Sequence, residues 1–168
     1  DVEELPTHGG SLRIYARHAE NGSMRVEPRV GELRAREQAA GFDRLEHYLS
    51  FGEQIRSTKL ALLDFMLTAK REGRSVVGYG AAAKGNTLLN YCGIGRDFID
   101  YVVDRSPHKQ GHFLPGTHVP ICHPDRVAET KPQIMLILAW NLKDEIMHQM
   151  ARIREWGGRF VVPIPEVA

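Results

Sequence analysis

The sequence predicts an α/β fold of Rossmann-like type: an open, mostly parallel sheet with helices on both faces, preceded by a strand-like N-terminal arm. Three observations point there. Short apolar runs at Ser75–Tyr79, Phe98–Val103 and Ile134–Ala139 read as strands buried on both faces. Segments of helical period separate them. A small-residue loop, Gly80-Ala81-Ala82-Ala83, follows the first run and leads into a helix.

Taken in order, Leu12, Ile14 and Ala16 alternate with Arg13, Tyr15 and Arg17 after a Gly9-Gly10 turn, the period of a half-buried strand. Such a strand needs a partner, either a sheet outside this sequence or the domain itself. Residues 1–20 are therefore read as an arm, and the polar stretch 21–41 as a connector with a helix over Gly31–Ala39. Residues 42–168 form the α/β domain. It opens with a long amphipathic helix, or two abutting ones, from Phe42 to Arg71, stopped by Gly73. A second helix covers Lys84–Tyr91, and a brief strand Val119–Cys122 precedes a short helix that ends near Pro132. Asn141 is expected to cap the last helix, whose buried stripe is Leu142, Ile146, Met150, Ile153 and Trp156. Gly157-Gly158 ends it, before a final strand at Phe160–Val162.

Composition excludes several classes. The 168 residues carry 22 Lys plus Arg against 21 Asp plus Glu, far from the basic excess that a nucleic-acid backbone demands. No run approaches the roughly 18 apolar residues that span a bilayer, and a cytoplasmic protein is the default. Cys92 and Cys122 stand far apart, and the eight histidines are scattered, so no metal site is expected.

The chemistry-bearing stretch is VVGYGAAAKGNTLLNY. Gly78, Gly80 and Ala83 fit a G-x-G-x-x-A pattern between strand and helix: a tight turn, an open backbone, and a small residue for close helix packing. Free N–H groups in the first helical turn face an anion, and the helix dipole favours it. Ala81 and Ala82 keep those donors uncovered, Lys84 adds a point charge, and Asn86 or Thr87 adds a donor. Asp104 follows Ala83 by 21 positions, at a strand end where dinucleotide folds place an acid on a ribose. Arg105, Lys109 and His112 follow it in a polar loop, and His8 and Arg13 are candidate contributions from the arm. The residues alone leave a dinucleotide, another phosphate-containing ligand and a purely structural turn all open. No pair is spaced as an acid–base or nucleophilic apparatus, so no catalytic residue is assigned.

Five stretches together resemble the C-terminal part of the SAM-dependent C-methyltransferases of nucleotide-linked deoxyhexoses: THGGSLRIYARH (Thr7–His18), GYGAAAKGNTLLNYCG (Gly78–Gly93), YVVDRSPHKQGHFLPGTHVPI (Tyr101–Ile121), LILAWNLKDEI (Leu136–Ile146) and WGGRFVVPIP (Trp156–Pro165). The resemblance implies a parent protein with an N-terminal zinc domain, a central SAM-binding domain holding the catalytic residues, and a C-terminal Rossmann-like domain that helps bind the nucleotide sugar. It places the arm at the end of the central domain, which would be this chain's partner. It also sets Gly78 through Lys84, with Asn86, around the diphosphate, and Asp104 with its loop on the nucleotide side. The Tyr-x-Glu-His pattern of the family's catalytic domain is absent here, as is its cysteine-rich motif. The chain alone is therefore expected to bind neither SAM nor zinc and to transfer no methyl group. A fragment of a dinucleotide-dependent oxidoreductase is the alternative, and a noncatalytic structural module the third reading.

Overall fold

The computed structural model describes residues 1–167, which fall into two compact units, Asp1–Gln54 and from Ile55 onward. In the first unit the arm finds its strand partner within the same chain. β1 (Val2–Leu5) pairs antiparallel with β2 (Ser11–Ile14), in register Val2↔Ile14 to Leu5↔Ser11. β1 was not foreseen, because its acidic sequence VEEL lacks the alternation that marks β2. A 3₁₀ turn at Thr7–Gly9 joins the two, with His8 in the left-handed region at φ 57°. Helix α1 (Pro28–Ala39) begins three residues before the expected Gly31, since a proline at its first position is already set to helical φ. None of its residues is buried. Arginine–carboxylate pairs hold it instead, Arg29 on Asp1 and Arg36 on Glu4 (2.7 Å).

The boundary between the units falls inside helix α2 (Leu45–Arg71), a single helix of 27 residues. Gly73, at φ 69°, ends it and turns the chain into the second unit's sheet. That sheet has five parallel strands in the order β5-β4-β3-β6-β7: β3 (Val76–Tyr79), β4 (Val102–Val103), β5 (Ile121–Cys122), β6 (Ile134–Ile137) and β7 (Arg159–Val161). Helices α3 (Ala83–Cys92), α4 (Arg126–Thr130) and α5 (Lys143–Gln149) complete a Rossmann-like α/β unit. β3 is central and pairs with β4 on one side and β6 on the other. The chain therefore reverses its direction of travel across the sheet at the β3/β6 boundary. In such sheets that switch point opens a crevice at the carboxyl ends of the strands.

The two faces carry separate cores because side chains alternate along each strand. Val76, Ile134, Leu136 and Leu138 pack with Leu62, Met66 and Ala69 of α2 and with Leu89 and Cys92 of α3. Val77, Tyr79, Met135 and Ile137 pack with Val127 of α4, Ile146 of α5 and Ile153 of the 3₁₀ segment Ala151–Trp156.

Two expectations are corrected. The apolar run from Phe98 yields only the two-residue β4, because the Ile99 N–H turns back to Gly95 O (3.0 Å). Ile99 is fully buried as core, which explains its apolar character without a strand. Asn141 does not cap α5: Leu142 takes that position without a side-chain bond, and the Asn141 side chain accepts from Lys84. Leu142 is accordingly exposed rather than part of the buried stripe.

Candidate functional site

At the end of β3 three small residues set the course of the chain. Gly80 takes φ 94°, a conformation that side chains resist, and a Cβ there would lie 3.0 Å from the Ala139 methyl on β6's extension. Gly78 has no unusual φ but lies against the neighbouring strand, where a Cβ would fall 2.7 Å from Val102 Cγ2. The close approach of α3 to the sheet belongs to Gly85: its Cβ would stand 2.6 Å from Leu138 Cβ and 3.0 Å from Leu138 O. Ala83, expected in that role, is exposed. The working pattern is thus Gly80-x-Ala82-x-x-Gly85, two positions later than the G-x-G-x-x-A reading. The second small residue of that pattern is alanine, and Ala83 and Gly85 are both small, so the sequence alone left the register open.

Helix α3 starts without a side-chain cap. Ala82 at its N-cap is extended (φ −87°, ψ 145°), and Asn86 N–H makes the first bond of the helical type, to Ala82 O at 2.9 Å. The N–H groups of Ala83, Lys84 and Gly85 precede it and have no carbonyl one turn back within the helix. They sit at the positive end of a helix of 10 residues, beside the switch point.

The donor just upstream is not open. Ala81 N–H is bound by Asp104 Oδ2 at 2.8 Å, and Ser106 N–H by Oδ1 at 2.8 Å. Lys109 Nζ adds a bond to Oδ2 (3.2 Å) and another to Ala81 O (3.0 Å). The Asp104 carboxylate is only 14% exposed, and three of its roughly four acceptor positions are used. Asp104 and Lys109, placed by sequence on the nucleotide side, brace the loop from below. Lys84 is drawn across the crevice: its ammonium donates to Asn141 Oδ1 and stands 4.8 Å over the Trp140 ring. Asn86 Oδ1 accepts from Asn90 (3.3 Å), whose amide also reaches Pro115 O (3.0 Å). His112 is exposed. His8 and Arg13 belong to the other unit, where Arg13 donates to Glu3 (3.2 Å).

On the α5 side of the same carboxyl edge lies an open depression of about 470 Å³, walled by Tyr79, Arg105, His123, Pro124, Asp125, Gln149 and Met150, with Asp125 Oδ2 3.2 Å from His123 Nδ1. Sequence reasoning found only Arg105 among these. The signal for Tyr79 was its place as the last residue of β3, directly before Gly80. Its hydroxyl donates to Gln149 Oε1 (3.0 Å), Gln149 Nε2 donates to Glu145 (2.6 Å), and Glu145 faces Arg105 at 3.6 Å. Burial pushes the Tyr79 phenol above the ordinary tyrosine value; Arg105 opposes the shift, and Asp104 and Glu145 add to it. A larger hollow of about 620 Å³ in the first unit, between β1 and α1, is walled by Glu3, Glu4, Arg29 and Arg36. There Arg29 faces Glu3 at 3.9 Å and Arg36 pairs with Glu4 at 2.7 Å, and Glu32 also lines the hollow.

These residues suit an anion and do not suit SAM. The Asp104 carboxylate that would hold a ribose diol is occupied, and Lys84 and Lys109 oppose a cationic sulfonium on the same loop. Among the described residues, no group of three or more His, Cys, Asp or Glu side chains is placed to hold a metal ion.

Residues 6–165 match the family described as the C-methyltransferase C-terminal domain. The chain is also 36% identical over 166 residues to the C-methyltransferase NovU of Streptomyces niveus, an alignment covering 99% of this chain and 39% of that protein. The chain thus spans well under half the length of the curated relative it matches. With nearly its whole length matched, the chain belongs to the family of C-methyltransferase C-terminal domains.

Proposed function

We propose that this chain is the nucleotide-sugar-binding portion of a SAM-dependent C-methyltransferase acting on a keto-deoxysugar nucleotide. The observation that carries the reading is the uncapped N-terminus of α3 behind Gly80 at the switch point, in a domain of this family. A central domain outside this chain would be its partner, with SAM supplying the methyl group there and zinc belonging to a further N-terminal domain. A keto group acidifies the adjacent carbon, so a base can remove its proton and leave an enolate as nucleophile. This chain contributes orientation: binding energy from the remote diphosphate holds the sugar still while the reaction occurs elsewhere. The near-neutral charge fits a nucleotide ligand better than a nucleic acid. No helix among the described residues is long and apolar enough to cross a membrane, and we place the protein in the cytoplasm.

One observation favours a purely structural module: the Ala81 N–H is taken by Asp104. A single titration separates the two readings. Thymidine diphosphate, followed by amide shifts in NMR, should bind the chain in the high-micromolar to millimolar range, about −4 to −6 kcal/mol, with shifts centred on Gly80 to Gly85. Gly80→Val, checked for native amide dispersion, should weaken binding more than Lys84→Ala, because a branched side chain opposes both the φ of 94° and the open backbone. Shifts absent from this loop, or a folded Gly80→Val that binds as well as wild type, would overturn the assignment.

A further inference from the structure

We infer that the depression beside Tyr79 receives the nucleobase of a nucleoside diphosphate, with Gln149 as the side chain that reads the base edge. The inference rests on the nucleotide reading above. It goes further in giving the base a place on the α5 side of the edge, with Tyr79 and Gln149, beyond the Asp104 loop that the family resemblance set on the nucleotide side.

Continuity is the first support. The depression begins one residue before Gly80, at Tyr79, and one residue after Asp104, at Arg105. A ligand anchored by its diphosphate at the start of α3 therefore has a polar hollow next to it, over the carboxyl ends of β3, β4 and β5. About 470 Å³ is ample for a base and its ribose, and lies in the range of small-molecule sites.

Chemistry is the second. A glutamine amide has two N–H donors and two acceptor lone pairs. Here one lone pair is taken by the Tyr79 hydroxyl and one N–H by Glu145. These bonds fix which end of the amide is oxygen and which is nitrogen, and leave one acceptor and one donor side by side. That pair complements the adjacent donor and acceptor on a nucleobase edge, the two-point contact by which amide side chains read bases. Pro124 and Met150 offer apolar surface to the base faces, and Arg105 supplies a cation beside the loop that holds the diphosphate. Tyr79 acts as a positioning residue: it is 6% exposed, and its hydroxyl orients Gln149.

The test compares thymidine diphosphate with methyl diphosphate, which lacks base and ribose, on the 168-residue chain. Gln149→Leu should weaken thymidine diphosphate at least fivefold and Tyr79→Phe about threefold, while both bind methyl diphosphate within twofold of wild type. In wild type the Gln149 side-chain NH₂ resonances should move with thymidine diphosphate and stay still with methyl diphosphate. Gln149→Leu that binds both ligands as wild type does, or that weakens both equally, overturns the base pocket. Methyl diphosphate binding as tightly as the nucleotide, with no Gln149 shift, overturns it too, yet leaves the diphosphate site standing. Failure of both ligands to bind the wild-type chain brings down the nucleotide reading itself, and the base pocket with it.

Discussion

On the side of α2 and α3 the sheet presents Val76, Leu136 and Leu138, and the neighbours they meet include Leu62, Met66 and Leu89. On the side of α4 and α5 the same sheet presents two tyrosines whose hydroxyls end in hydrogen bonds, Tyr79 on Gln149 and Tyr101 on Thr130. The first face is a contact surface with little tolerance: α3 is seated by Gly85 against Leu138 so closely that a single methyl would collide. The second face is polar at its margin and opens at the carboxyl edge into the depression. The dry face sets the position of the loop with packing, which is stiff. The margin of the other supplies groups that a ligand can address.

The contrast would be broken most forcefully at Gly85. Gly85→Val should destabilise the chain by about 3 kcal/mol, the upper end of overpacking costs, because the contact at 2.6 Å is with Leu138 Cβ and the next, at 3.0 Å, with its carbonyl oxygen. Urea denaturation would measure it, and a midpoint unchanged from wild type would show that α3 is loosely held. A smaller loss, about 2 kcal/mol, is expected for Asp104→Ala, which strips partners from the Ala81 and Ser106 N–H groups. Faster amide exchange at those two residues should accompany it. A loss below about 0.5 kcal/mol would mean that the brace is ornamental.

The subtlest effect is a pH dependence. Burial raises the Tyr79 and Tyr101 phenols above the ordinary value of about 10, and the Cys92 thiol on the opposite face above about 9. Each group is neutral in the fold and ionises more readily when unfolded. The stability they contribute is therefore complete below those ordinary values and is lost as pH rises through the raised ones. Tyr79→Phe with Tyr101→Phe should flatten the loss above pH 10 and leave the part that starts near pH 9, which belongs to Cys92. If the double variant loses stability above pH 10 as steeply as wild type, the polar face carries none of this dependence.

Much of the fold was legible because buried parallel strands are apolar on both sides and need no partner to be recognised. Ile134–Ile137 and Val76–Tyr79 are of this kind. Phe98 and Ile99 misled for a related reason, since the burial of Ile99 in a turn leaves the same apolar signature as burial in a strand. β1 escaped because its stability lies in pairing with β2 and in salt links to α1, neither of which is local. At the site, Gly80 and the start of α3 could be read from spacing. The register of the glycine pattern could not, because Ala83 and Gly85 are both small, and only the distance to Leu138 distinguishes them. Gln149 lay beyond reach as well. Its meaning comes from the Tyr79 hydroxyl, 70 residues away in sequence.

Strand order also governs the sequence of events as the chain is made. The first sheet strand to leave the ribosome is β3, and both its neighbours come later: β4 after α3, and β6 only when Ile134 has followed Val76 by 58 residues. The N-terminal hairpin closes across a few residues and can form at once. The two edges of β3 and the face bearing Val77 and Tyr79 must instead wait, uncovered, for most of the second unit to be synthesised. Long-range parallel pairing of this kind is slow and exposes sticky intermediates. The strand that carries the loop in the finished protein is thus the one whose edges stay open from the start of the sheet's synthesis until β4 and β6 arrive.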